Sequence, residues 1–207
     1  MHKTEWNTRE FVVRDDQGHT LYFATSRRAK RLSTLPPARV VMLIDIIKTI
    51  VLREIAAVER SVEAYPDDES LWILPAGLPN AGGTLVLHLA GNLQHYFGAV
   101  LGGSAYKRDR PAEFSRRDVP RAELLSELAA ARVAVERTIP QLTADVLAAP
   151  YPERIAGHVL MTDVFLVHLA SHLAYHLGQL DYHRRVVTGD AQGVGALAAS
   201  EIATVSE

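Results

Sequence analysis

The sequence predicts an all-α protein, a four-helix bundle, on three observations. Long stretches carry apolar residues three and four apart, as a buried helix face requires, while convincing strand patterns are all but absent. Proline and glycine pairs punctuate those stretches and isolate four of them. The composition, 48% hydrophobic and 22% charged over 207 residues, is that of a globular domain with enough chain for one substantial core.

Residues 1 to 35 read as an N-terminal extension. Within it, FVVRDDQGHTLYFAT is either a short hairpin turning at Asp16, Gln17 and Gly18, or a poorly ordered arm. After Pro36 and Pro37 a first helix is expected from Ala38 to about Ala64, with Val40, Leu43, Ile44, Ile47, Ile50, Val51, Ile55 and Val58 on one face. Tyr65-Pro66 closes it, because the residue before proline disfavours the α region. A proline- and glycine-rich loop follows from Asp67 to Gly83. Thr84 is the expected N-cap of TLVLHLAGNLQHYFGAVLGG, and Gly102-Gly103 its stop. SAYKRDRPAEFSRRD, residues 104 to 118, reads as a polar connection. A third helix is expected from about Val119 to Thr138, capped by Asp118 with Pro120 in its first turn. ADVLAA adds a helical turn, and the last helix runs from Thr162 to about Val187, ending at Gly189. Residues 190 to 207 form a small-residue tail expected to be loosely ordered. Connections of about 15 to 20 residues are long for adjacent antiparallel helices, so one of them should cross over the bundle.

Charge and composition exclude several functions. A formal net charge of -2 gives no general attraction to phosphate backbones, and the one basic cluster, Arg27, Arg28, Lys30 and Arg31, reads as a solvated segment. No nucleic-acid partner is expected. The N-terminus MHKTEWNTREFVVRDD lacks a signal-peptide core, and apolar runs such as VVMLIDII fall well short of the roughly 20 residues that span a bilayer. The expected location is the cytoplasm, away from membranes. There is no cysteine, so a metal must be held by nitrogen and oxygen, and a nucleophilic thiol must arrive with a substrate.

The histidines carry the functional signal. His168, His172 and His176 follow one another at steps of four, and Gln179 and His183 extend the series. At roughly 100° per residue these five side chains occupy about a quarter of the helix circumference. The stripe lies beside Phe165, Leu169, Leu173, Leu177 and Leu180. On the second helix His88, Asn92 and His95 share a face flanked by Leu85, Leu89 and Ala99. A buried imidazole without partners costs on the order of 1–3 kcal/mol. A metal ion removes that cost: two histidines at i and i+4 can point at one ion, and a third from a facing helix completes a set with open positions. The competing reading is a set of ordinary hydrogen-bonded histidines. HExxH is absent, which argues against a zinc peptidase, and so is the ExxH pair of di-iron bundles.

Three segments, LHLAGNLQHYFGAVLGG, YKRDRPAEF and HLASHLAYHLGQLDYHRR, resemble the DinB-like superfamily of bacterial four-helix bundles. The resemblance covers roughly residues 38 to 188. It implies an up-down-down-up bundle over residues 36 to 189, and one divalent metal held by one histidine of the second helix and two of the fourth. At the matching positions these are His88, His172 and His176. Some members resemble or are thiol-dependent S-transferases or isomerases. The resemblance therefore implies a small-molecule substrate, a low-molecular-weight thiol among the partners, and a metal-dependent transferase, with a hydrolase as a variant. The alternatives are a stress-response bundle that binds metal or ligand without catalysis, and a structural bundle without metal.

Zinc or nickel is the first expectation for the ion, although three histidines also suit cobalt, copper or iron. His95 and His168 are candidate proton carriers, and Asn92 a candidate orienter of a ligand or bound water. Gln179 is expected to hydrogen-bond inside the bundle. Tyr96, Tyr106 and Tyr175 either line an opening or pack. Exposed apolar residues on a bundle helix would favour a homodimer.

Overall fold

The structure is a computed structural model that describes residues 8–14, 20–26 and 37–202. Strands β1 (Thr8–Arg14) and β2 (Thr20–Ser26) pair antiparallel, with Phe11 opposite Phe23, so the hairpin alternative for the N-terminal segment holds. Its expected turn at Asp16, Gln17 and Gly18, the basic cluster from Arg27, and the last five residues of the tail lie outside the described residues.

Four main helices form the bundle: α1 (Pro37–Glu63), α2 (Gly82–Leu93), α4 (Arg121–Thr138) and α6 (Thr162–Thr188), with short helices α3 (Arg110–Ser115) and α5 (Ala144–Ala148) between them. Each contributes an apolar stripe at helical spacing. Val51, Ile55, Val58 and Val62 of α1 meet Leu124, Leu128, Ala131 and Val135 of α4, and Leu166, Leu169, Leu173 and Leu180 of α6, in one core. All twelve residues of α2 are buried, which is why this helix is apolar almost all round. α1 packs on α4 and α6, and α2 packs on α4 and α6. Both the α1–α2 and the α4–α6 connections therefore cross the bundle diagonally.

Hydrogen bonds near the helix ends set the directions. Arg60, near the end of α1, donates to the carbonyl of Val194, just beyond the end of α6, so α1 and α6 run parallel. Arg121, at the start of α4, donates to the carbonyl of Tyr65, so α4 runs against α1. Gly82, at the start of α2, lies against His183 near the end of α6, so α2 also runs against α6. The bundle is up-down-down-up.

Several local details differ from expectation, each for a tertiary reason. α2 begins at Gly82 rather than after Thr84, because the two glycines are points of close approach. A methyl on Gly83 would overlap the ring of Trp72, and one on Gly82 would overlap the Tyr65 hydroxyl. Asp118 does not cap α4. It takes a left-handed backbone (φ 56), and the backbone N–H of Arg121 is satisfied instead by the carboxylate of Asp68, at 3.1 Å. Within the connection read as polar, Asp109 caps α3 by accepting from the Ala112 N–H, with Pro111 in the first turn. The end of the second helix, Gln94–Leu101, is π-helical. In the tail, Arg60 holds the Val194 carbonyl and pairs with Glu201, and Ala199–Ile202 forms a 3₁₀ turn against α1.

The long α1–α2 loop is clasped by His183. Burial keeps the Tyr65 hydroxyl protonated well above its ordinary range, so it donates to His183 Nδ1 at 2.6 Å, and His183 Nε2–H donates to the Ile73 carbonyl at 2.8 Å. Burial lowers the His183 pKa below the ordinary 6.5, and the bond to Ile73 offsets only part of that. A histidine whose folded pKa is depressed binds its proton more readily in the unfolded chain. Its contribution is full above pH 6.5 and is lost as pH falls from there towards the folded pKa. Thermal unfolding between pH 7.5 and 5.0 should show a loss of stability that is shallower in His183→Gln. Identical slopes would remove His183 from the account.

Candidate metal centre

α2 and α6 bring the three histidines together. On α6, His172 and His176 are one turn apart and face the same way, and His88 projects from the buried α2 opposite them. The ring Nε2 of His172 lies 3.3 Å from Nε2 of His88 and 3.1 Å from Nε2 of His176. One ligand atom from each residue lies within 4.8 Å of the others, and among the described residues no other group of three or more possible ligands does so. His88 and His176 are 3% and 1% exposed, while His172 is partly exposed.

The outer nitrogens fix the tautomers. His88 Nδ1 is 3.0 Å from the Glu113 carboxylate. Burial would raise the Glu113 carboxyl, but hydrogen bonds from Arg108 and His88 and the Arg108 charge outweigh it and hold it below the ordinary carboxylate value. An ionised carboxylate at this distance requires the proton on His88 Nδ1, which in the neutral ring leaves Nε2 as a lone pair. At the other ligand, His176 Nδ1 is 2.6 Å from the Gln179 side-chain oxygen, while the Gln179 amide donates to the Tyr175 hydroxyl. An amide oxygen only accepts, so His176 also carries its proton on Nδ1 and turns a lone pair inward.

Two lone pairs therefore face the His172 ring nitrogen, which can donate to at most one of them. His172 Nδ1 is buried and has no hydrogen-bond partner. Burial, then the neighbouring His176, His88, His168 and Arg108, hold His172 well below the ordinary histidine range, so it is neutral. Three ring nitrogens converging in this way satisfy one another poorly and suit a cation well. The donor set fits a divalent ion, and hydrogen bonds donated to Glu113 and Gln179 are of the kind that orients metal-bound histidines.

The remaining candidates lie nearby rather than in the cluster. His95 shares a helix face with His88 but stands seven residues on, about 10 Å along the axis, where its Nε2 pairs with the exposed Glu153. His168 stacks on Phe165 at 5.9 Å, and its ring centre is 6.2 Å from that of His172. Asn92 is buried one turn from His88 and makes no hydrogen bond to the three ligands. Tyr96 packs against Phe165, with the Arg108 guanidinium over its ring.

Glu113 and Arg108 were not among the residues singled out from the sequence. Arg108 donates to both Glu113 oxygens at 2.6 and 2.9 Å, making a buried bidentate pair behind His88. The available signal was the cap-like Asp109-x-Pro111 ahead of Glu113, which marks a short helix inside the connection. Gly91 admits this helix, since a methyl there would overlap the Glu113 carboxylate.

No curated protein matches the sequence. The family model described as the DinB superfamily matches residues 51–180, a span that holds all three histidines, Glu113 and Gln179. With four helices in the expected order and a three-histidine cluster able to hold a metal, the chain belongs to the DinB superfamily.

Proposed function

We propose that this protein is a divalent-metal-dependent transferase that couples a low-molecular-weight thiol to a small electrophilic substrate. The observation that carries the reading is the convergence of three Nε2 atoms, with the outer nitrogens of His88 and His176 held by Glu113 and Gln179. Zinc or nickel suits such a set of nitrogen ligands. A divalent ion held by three neutral ligands retains its charge and supplies Lewis acidity, which favours the thiolate form of a thiol at neutral pH.

The chain's own residues supply the rest. Glu113 and Arg108 fix the angle of the His88 ring, and Gln179 and Tyr175 fix that of His176. The chain has no cysteine, so the nucleophilic sulfur comes from a second substrate. In this reading His168, whose ring lies beside that of His172, carries a proton to or from the substrate.

Metal-loaded protein mixed with glutathione, mycothiol or bacillithiol and a chromogenic electrophile should form conjugate faster than the uncatalysed reaction, and His172→Ala should abolish the excess. No turnover across the panel with metal at one equivalent would overturn the transferase and leave a metal-binding bundle. A role in sequestering metal or ligand under stress would then be the reading to test.

A further inference from the structure

One turn beyond the histidine cluster, Leu78, Pro79, Leu85, Tyr182 and Val186 line a half-open cavity of about 220 Å³, with Asn80, Gln179 and His183 as the polar members of its wall. Its lining is mostly apolar, and two of its polar residues are already engaged. Gln179 bonds His176 Nδ1 and the Tyr175 hydroxyl, and His183 bonds the Tyr65 hydroxyl and the Ile73 carbonyl. A guest gains little there from hydrogen bonding and much from burying apolar surface. An apolar cavity of about 150 Å³ already takes benzene, so this one has room for a single aromatic ring or a chain of about six carbons.

The cavity adjoins the histidines across one residue, Gln179. Leu85 precedes His88 by three residues on α2, and Gln179 follows His176 by three on α6. At 1.5 Å per residue, the cavity begins about 5 Å along both helices from the ligands. Gln179 is the partition: its amide touches a ligand histidine and also lines the cavity. A molecule with a metal-binding atom at one end and a short apolar group at the other fits both places at once.

We infer that this cavity is the binding site for the alkyl or aryl group of the substrate, and that the substrate class is small amphiphiles rather than wholly polar thiols or electrophiles. The inference rests on the metal-dependent reading above for the other end of the molecule. The cavity itself exists without metal, which allows the two to be tested apart.

The first arm uses metal-free protein and straight-chain alkanols from two to eight carbons, followed by NMR titration. Affinity should rise by about fourfold per methylene up to about six carbons and then level off. Val186→Trp, at a residue 61% exposed and outside the core, should fill the cavity and abolish the dependence without unfolding the bundle. The second arm uses cobalt-loaded protein and the matching alkanethiols, read by sulfur-to-cobalt charge-transfer absorption. The same rise with chain length, flattened by Val186→Trp, supports the inference. Alkanol binding that is absent, or indifferent to Val186→Trp, overturns it. A thiol series that binds cobalt with no dependence on chain length also overturns it, while leaving the metal reading intact. Alkanol binding in a protein that takes up no cobalt overturns the substrate role through failure of the metal reading instead.

Discussion

Substituting His88 by alanine should cost more than about 100-fold in affinity for zinc or nickel. Loss of a residue that merely orients a metal ligand typically costs 10- to 100-fold, and loss of the ligand itself should exceed that. His88 is also the only ligand from α2, so without it the two α6 histidines bind from one side only. Elemental analysis and competition against a chromogenic chelator would read the loss, with circular dichroism showing that the bundle remains. His172→Ala should behave alike, since its Nε2 lies between the other two. Equal metal retention in wild type and variant, or no uptake by either, would remove the metal centre from the account.

The second large effect belongs to Glu113. Its carboxylate accepts from Arg108 and from His88 Nδ1, and Glu113 and Arg108 are only 6% and 10% exposed at their side chains. Glu113→Ala leaves the Arg108 guanidinium buried beside no anion, a loss of about 3–5 kcal/mol for a broken buried pair. It also frees the His88 ring, for an expected loss of about 10- to 100-fold in metal affinity. Glu113→Gln should lose most of the charge pairing but keep an acceptor for His88, so its metal affinity should fall less than its stability. Urea unfolding and chelator competition separate the two. Because the Glu113 carboxyl is held below its ordinary value, its contribution is present at neutral pH and is lost as pH falls through the folded pKa. If Glu113→Ala binds metal as wild type does, the carboxylate has no orienting role.

Much of this architecture could be read from the chain. The spacing of Val51, Ile55, Val58 and Val62, and of Phe165, Leu169, Leu173 and Leu177, is a local property that any α-helix turns into one buried face. The steps of four at His172 and His176 likewise place two ring nitrogens on one side before any partner is known. Resemblance to a known bundle supplied the third ligand and the helix directions, which spacing alone left open.

The unread features all join positions far apart in sequence. Asp68 satisfies the first turn of α4 from 53 residues away, so Asp118, the local cap candidate, is left unused in a left-handed turn. Gly82, Gly83 and Gly91 look like loop or flexibility signals, but each marks a place where Tyr65, Trp72 or Glu113 presses on a backbone. His95 shows the limit of helical-wheel reasoning: it shares the direction of His88 but stands two turns along, where Glu153 takes it. Glu113 carries no periodic signal, because its role depends on α3 packing against Gly91 and bringing a carboxylate to a ring 25 residues back. Periodicity determines which face a residue occupies, since that follows from 3.6 residues per turn. Which atoms meet across faces was decided only by how the helices pack, and the outer hydrogen bonds that set the His88 and His176 tautomers were decided there as well.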